Sequence, residues 1–339
     1  MPTIKDVADK SGVSVITVSR YFNDCEKVSK KTQEKISNTI NEIGYFPNEI
    51  ARSLVKKKTN VLGIVLADTK NTYFNELFRT AENYARKLNY NVFLCNTEEN
   101  CERELKYVKL LASQKVDGVI LAPASIHSVK FLDKNKIKYV LVDRYYNEIK
   151  SDYFLADHYQ GSKEIVEYLI NKGHIKIAVL KGSGEFISGS YRYDAFIDVM
   201  KKRKIKINPD YVLDCHFKKE IAYKKTKELL SSKNKPTVIY SFNSLMTIGA
   251  IKAIKELKLK IPEDISLIAF DDLPNHEIIN PLITCTIQPV EKIATQAIEH
   301  LIKKINSDKK IRTKKFIIKP EMFIGNSVKD LRKIIRRTN

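Results

Sequence analysis

The sequence predicts an α/β protein with an all-helical head at its N-terminus and two doubly wound parallel-sheet lobes behind it. Three observations carry that reading. The first sixty residues show helical spacing and helix caps; from residue 61 onward short continuous apolar runs alternate with amphipathic segments; and the alternation comes in two sets. A chain of 339 residues suits two or three domains, and 43% hydrophobic residues suffice for a sizeable core.

In the head, Thr3 opens the first helix as N-cap with Asp6 as a short-acid version of the capping box, and Ile4, Val7 and Ala8 share one face. Gly12 permits a tight turn. Ser14 caps a second helix, VITVSRYF, in which Val18 lies three and four positions from Val15 and Phe22 while Thr17, Ser19 and Arg20 offer hydrogen-bonding groups. Two short helices joined by a Gly-containing turn read as a helix-turn-helix. A third helix from about Ser29 to Ile43 aligns Ile36, Ile40 and Ile43, and Gly44 follows its end.

After a Lys-rich linker, VLGIVLA (61–67) reads as a strand buried on both faces. A helix from about Phe74 to Leu88 follows, then strand NVFLCN, helix ERELKYVKLLASQ, strand GVILAPA, a short helical turn near Ser128 to Asn135, and strand YVLVDR. The second set begins with YFLAD and helix SKEIVEYLINKG. It continues through KIAVLKG, YRYDAFIDVMKKR, YVLDC, IAYKKTKELLSS, TVIYSFN, SLMTIGAIKAIKEL and SLIAFDD. Helices between apolar strands imply right-handed crossovers and parallel sheets.

Composition narrows the function classes. A formal charge of +20 favours a polyanionic partner, although much of the excess follows residue 303, where a solvated Lys-rich surface is the plainer reading. Cys25, Cys95, Cys101, Cys215 and Cys285 lack disulfide or metal spacing, so neither a metal nor a cofactor is expected. The N-terminus has no apolar signal stretch and no run long enough to span a bilayer, which leads to the expectation of a cytoplasmic protein without a membrane partner.

The motifs TIKDVA, GVS, TVSR, I...I..IGY.PN and ARSL, in that order, resemble the lactose-repressor (LacI/GalR) family of bacterial transcription regulators. The resemblance implies a sugar-responsive homodimer that binds a near-palindromic double-stranded DNA operator. The second helix would enter the major groove with Ser14, Val15, Ile16, Thr17, Ser19 and Arg20, Thr3 joining the DNA-facing set and Lys5, Lys30 and Lys31 adding phosphate contacts. Asn48 would cap a hinge helix, Ala51 keep its surface small where two copies meet, and Leu54 wedge into the minor groove. The implied domains are residues 1–47 (head), 48–60 (hinge and linker), 61–157 plus 289–325 (first lobe), 158–288 (second lobe) and 326–339 (basic tail). The lobes would be periplasmic-binding-protein-like and exchange strands across three crossovers.

Ligands of open α/β sheets sit beyond the carboxyl ends of the strands. Asp143, Phe217, Asn243 and Asp271 fall at such ends, and Arg192 follows the loop after KIAVLKG. Each Asp or Asn could equally be a turn or helix cap. The resemblance assigns Arg192, Phe217, Asn243 and Asp271 to effector binding and adds Tyr73, Phe74 and Gln288, while Asp143 joins the set by its strand-end position. Carboxylates and Arg beside aromatic faces suit a polyol, and Arg144 with Arg192 would extend the range to a sugar acid or sugar phosphate. Ser244 stands where the family usually has Asp, and Ala222, Ala269 and Ala294 where it commonly has Gly. Val15 and Ile16 replace polar readers and point to thymine methyl contacts.

An enzyme reading fails for want of a catalytic constellation: GSGEFISG misses the dinucleotide spacing, no P-loop exists, and the six His have no nucleophile motif beside them. A transport solute-binding protein shares the lobes but not the head. A regulator answering to a purine or a protein partner is the remaining alternative.

Overall fold

The computed structural model describes residues 2–46, 58–182, 186–307, 309 and 311–332. The chain divides into two compact units, residues 1–59 and 60–339. The hinge residues Asn48, Ala51 and Leu54 lie outside the described residues.

The head unit contains α1 (Ile4–Ser11), α2 (Val15–Asn23) and α3 (Lys30–Ile43). Its helix ends are satisfied locally. Asp6 N–H donates to Thr3 Oγ1 at 3.3 Å while Thr3 N–H donates to Asp6 Oδ2 at 2.6 Å, which completes the capping box. Ser14 and Ser29 accept from the N–H groups of Thr17 and Thr32. Gly12 ends α1 at φ +66°, a left-handed conformation that costs glycine little. Val7, Ala8, Val18, Ile36 and Tyr45 form the small shared core.

The second unit holds two sheets of the same strand order. The first contains β1 (Val61–Leu66), β2 (Asn91–Asn96), β3 (Gly118–Leu121), β4 (Tyr139–Val142), β5 (Tyr153–Ala156) and β11 (Lys315–Ile318), in the order β2-β1-β3-β4-β5-β11. The second contains β6 (Ile177–Lys181), β7 (Val212–Asp214), β8 (Val238–Ser241), β9 (Ser266–Phe270), β10 (Thr284–Ile287) and β12 (Glu321–Phe323), in the order β7-β6-β8-β9-β10-β12. All pairings are parallel except β10 with β12. Five residues of β1 are buried, as a strand covered on both faces requires.

The crossover helices are α4 (Thr72–Lys87), α5 (Cys101–Ser113), α6 (Ile126–Lys134), α7 (His158–Asn171), α8 (Ile187–Lys202), α9 (Lys219–Ser231), α10 (Ser244–Glu256) and α11 (Val290–Ile305). α6 is a full helix where the sequence reads only as a short turn, because Ser125 caps it and Val129 and Leu132 anchor it in the core. The chain passes between the lobes after β5, after β10 and after β11. The returning segment 289–325 is not uniform. α11 packs on the first sheet and β11 pairs with β5, but β12 pairs with Cys285–Ile287 of the second sheet, because the third crossover falls between residues 318 and 321. The expected tail 326–339 is also docked where described: Ser327 is buried and donates to Leu267 O at 2.6 Å, and Lys329 O meets His174 Nε2 at 3.0 Å. Among the described residues no helix is long and apolar enough to cross a membrane.

Candidate functional site

The carboxyl ends of both sheets face one cleft, and topologically matched strands supply its residues. Asp143 follows β4 and Asp271 follows the equivalent β9, with φ +63° and +76°; such backbone positions are uncommon outside glycine and cluster at binding sites. Phe217, at φ +59°, follows β7, and Gln288 follows β10. Tyr73 and Phe74 stand in the first turn of α4, whose cap Asn71 accepts from Tyr73 N–H at 3.0 Å. All eight residues expected to touch a ligand line this cleft, with about 60 Å³ of space between them.

Arg192 sits in the second turn of α8, within the segment YRYDAFIDVMKKR that follows the KIAVLKG loop. Its guanidinium is buried, lies 3.7 Å above the Phe270 ring, donates to Phe242 O and stands 3.9 Å from Asp271 Oδ2. Burial pushes the Asp271 carboxyl up while Arg192 holds it back. Gln288 Nε2 donates to Asp271 Oδ1 at 2.5 Å. Asn243 realises the plainer reading in part, since its Oδ1 caps α10 by accepting from Met246 N–H at 2.9 Å. Arg192 Nε, Tyr73 OH and Gln288 Oε1 are buried and, among the described residues, have no hydrogen-bond partner.

The sequence reading missed several groups. Glu99 accepts both terminal nitrogens of Arg144 at 2.6 and 2.7 Å, and Asp143 accepts Arg144 Nε at 3.0 Å. Burial opposes the Arg144 charge, but Glu99 outweighs it and raises the pKa. The same guanidinium lies 3.8 Å over the Phe186 ring, across the cleft. His158 joins the two halves: Nε2 donates to Asp143 O at 3.3 Å and Nδ1 accepts from Arg192 at 3.2 Å. Burial and the Arg192 charge keep that imidazole neutral. The signal for His158 was its place just after the Asp157 cap at the first crossover; the Glu99–Arg144 pair spans 45 residues and left none.

On the head, α2 buries Val18 and turns Ser14, Val15, Ile16 and Arg20 outward, with Thr17 and Ser19 half-buried. Ile16 is 70% exposed, a large apolar side chain on the outward face of α2 with no local packing reason to be there. The Thr3 hydroxyl is committed to Asp6 within the cap.

Two family models match this chain. Residues 3–48 match bacterial regulatory proteins of the lacI family, and residues 59–325 match periplasmic binding proteins and the sugar binding domain of the LacI family. The HTH-type transcriptional repressor PurR of Vibrio vulnificus is 32% identical over 334 residues, covering 98% of this chain and all of that protein. The protein of the same name from Histophilus somni is 32% identical over 335 residues, with the same coverage. Among solved structures, the Lac repressor dimer bound to operator and the anti-inducer ONPF aligns with a TM-score of 0.84 at 22% identity, over 97% of this chain and 99% of that one. A putative ribose operon repressor from Burkholderia thailandensis aligns at 0.70 and 25% identity, over 78% and 98%.

Proposed function

The chain belongs to the LacI family of bacterial regulatory proteins, and from that premise we propose that it is a DNA-binding transcriptional repressor whose operator affinity is set by a small polyhydroxylated ligand, a sugar or sugar derivative, held between the lobes. The observation that carries the ligand class is the coincidence of orphaned polar atoms with aromatic faces in one cleft. Arg192 Nε offers a donor, Gln288 Oε1 an acceptor and Tyr73 OH either. A hydroxyl donates and accepts, so a ring bearing several meets the whole set, while Phe74 and Phe217 pack its C–H face. A space of about 60 Å³ holds a few waters and no sugar, so entry requires the lobes to part.

In the mechanism we propose, a homodimer presents two heads to the half-sites of a near-palindrome, with Val15, Ile16, Thr17, Ser19 and Arg20 at base edges and phosphates. Asn48, Ala51 and Leu54 would form the hinge that opens the minor groove. Ligand binding changes how the lobes close, and by linkage changes DNA affinity.

A planar purine base is the second reading, favoured by the Arg144 guanidinium lying 3.8 Å over Phe186 with Phe217 beside it, a stacking geometry that also accepts an aromatic ring. A thermal-shift screen against sugars, sugar acids, sugar phosphates and purines tests both. One sugar class should raise the melting temperature, with about 2.7 kcal/mol of stabilisation at a hundredfold excess over Kd. A shift with a purine alone selects the second reading, and no shift with any compound contradicts the cleft as a ligand site.

A further inference from the structure

We infer that the amino-terminal pole of the first lobe is a second DNA-contacting surface, where exposed Lys and Arg side chains meet backbone phosphates flanking the segment read by the head. The inference rests on the proposed DNA-binding role. It starts from where the charge lies. Residues 1–59 hold 11 Lys and Arg against 7 Asp and Glu, so they carry +4 of the formal +20, and +16 lies beyond them.

Much of that excess gathers at one end of the first sheet. Lys134, Lys136 and Lys138 are exposed on the segment entering β4, Lys303 is exposed at the end of α11, and Arg312 and Lys315 are exposed at the entry to β11. Register places them together: Leu62 pairs with Gly118, Val119 with Tyr139, Leu141 with Tyr153, and Tyr153 with Lys315. Lys304 pins the end of α11 here by donating to Tyr139 O at 2.9 Å and Asp152 Oδ2 at 2.5 Å. Lys303 and Arg312 line one groove with His300 and Lys314.

The carboxylates of this pole are outnumbered by its cations and have hydrogen-bond partners within the fold; Glu299, exposed in the same groove, accepts the Tyr84 hydroxyl at 2.6 Å. Asp117 accepts Asn60 N–H at 2.9 Å, and Asp133 accepts the Tyr139 hydroxyl at 2.9 Å. Asp152 is buried among His300, Lys304 and the N–H of Lys314. The outward field is therefore positive, and at about 8 Å of screening length it is felt by a phosphate near the surface.

A basic face is ordinary by itself, and the second lobe has one: Lys201, Lys202 and Lys204 are exposed at its own amino-terminal pole. Covalent connection singles out the first. The chain enters the sheet at Val61, and β4 lies two strands from β1, about 10 Å away at strand spacing. DNA held by the head is tethered to this pole through residues 47–60, which reach at most about 50 Å. The pole of the second lobe stands beyond the cleft, a further two strand lengths on.

Each phosphate neutralised by a cation steepens the fall of log K with log salt by about 0.9. The test measures full-length protein binding a fluorescein-labelled mixed-sequence duplex of about 40 base pairs between roughly 50 and 200 mM salt. The variants are Lys134→Gln/Lys136→Gln/Lys138→Gln and, matched in charge, Lys201→Gln/Lys202→Gln/Lys204→Gln. The first triple should lower the slope by about two and the low-salt affinity at least about tenfold, while the second leaves both near wild type. Equal losses in the two triples, or none in either, overturn the inference. Absence of DNA binding by the wild type would instead refute the DNA-binding role on which it rests.

Discussion

Buried charges in the cleft are each held by more than one partner, Arg192 by Asp271 and His158, and Arg144 by the distant Glu99 and its chain neighbour Asp143, so single residues there have consequences beyond one contact. His158 accepts from Arg192, and protonation would set two donors against each other. Burial lowers its pKa, and burial lowers those of His174 and His300 in the same direction. The unfolded chain therefore takes up more protons than the native one below about pH 6.5, so stability is full above that value and is lost as pH falls through it. Glu104 acts oppositely: burial raises its pKa to about 6, so acidification from there relieves a cost. The three His act against the carboxylates that burial raises, Glu104, Asp271 and Asp194, and calorimetry should give a lower Tm at pH 5.5 than at pH 7.5. His158→Asn should shrink that difference; a Tm independent of pH contradicts the account. Gly182 carries a second consequence, since a Cβ there would clash with the Phe217 ring. Gly182→Ala should push Phe217 out of the cleft wall and weaken ligand about tenfold, read by titration calorimetry.

At the scale of elements, the head separates its packed from its exposed side chains within α2. Val18 is fully buried in a core of few side chains, so Val18→Ala should cost about 2 kcal/mol and melt the head early in hydrogen exchange. Ile16→Ala should leave exchange unchanged and reduce affinity for a selected operator about tenfold; an unchanged affinity would remove Ile16 from the reading face. The elements differ in how far the sequence exposes them. β1, β3 and β4 are legible because burial on both faces demands unbroken apolar runs. β11 alternates exposed with half-buried residues and β12 is three residues long, so neither produces such a run. Their pairings are also non-local, Phe316 with Phe154 and Met322 with Thr286, and no periodicity encodes a partner so distant. The cleft follows the same division. Asp143 and Asp271 were visible as polar residues closing apolar strands, whereas Glu99 and Phe186 acquire their roles only through contacts across the fold.

For the whole molecule, two lobes of identical strand order joined by three crossovers enclose the site they share. Thr72 Oγ1 of the first lobe donates to Asp272 O at 3.0 Å, Ser244 Oγ donates to Asn71 Oδ1 at 3.3 Å, and the Tyr145 and Tyr191 hydroxyls meet at 3.1 Å, so polar contacts join the lobes beside the site. We propose that closure of the lobes is transmitted to the start of β1, where the tether to the head attaches, and so reaches DNA. The central claim is thus thermodynamic coupling between cleft and operator. The most direct measurement is the affinity for an in vitro selected duplex with and without a saturating amount of the ligand found by thermal shift, at fixed salt. The account predicts a change of about 5- to 150-fold in Kd, reproduced reciprocally as a change in ligand affinity when DNA is bound. A ligand that occupies the cleft and leaves the DNA affinity unaltered would contradict it.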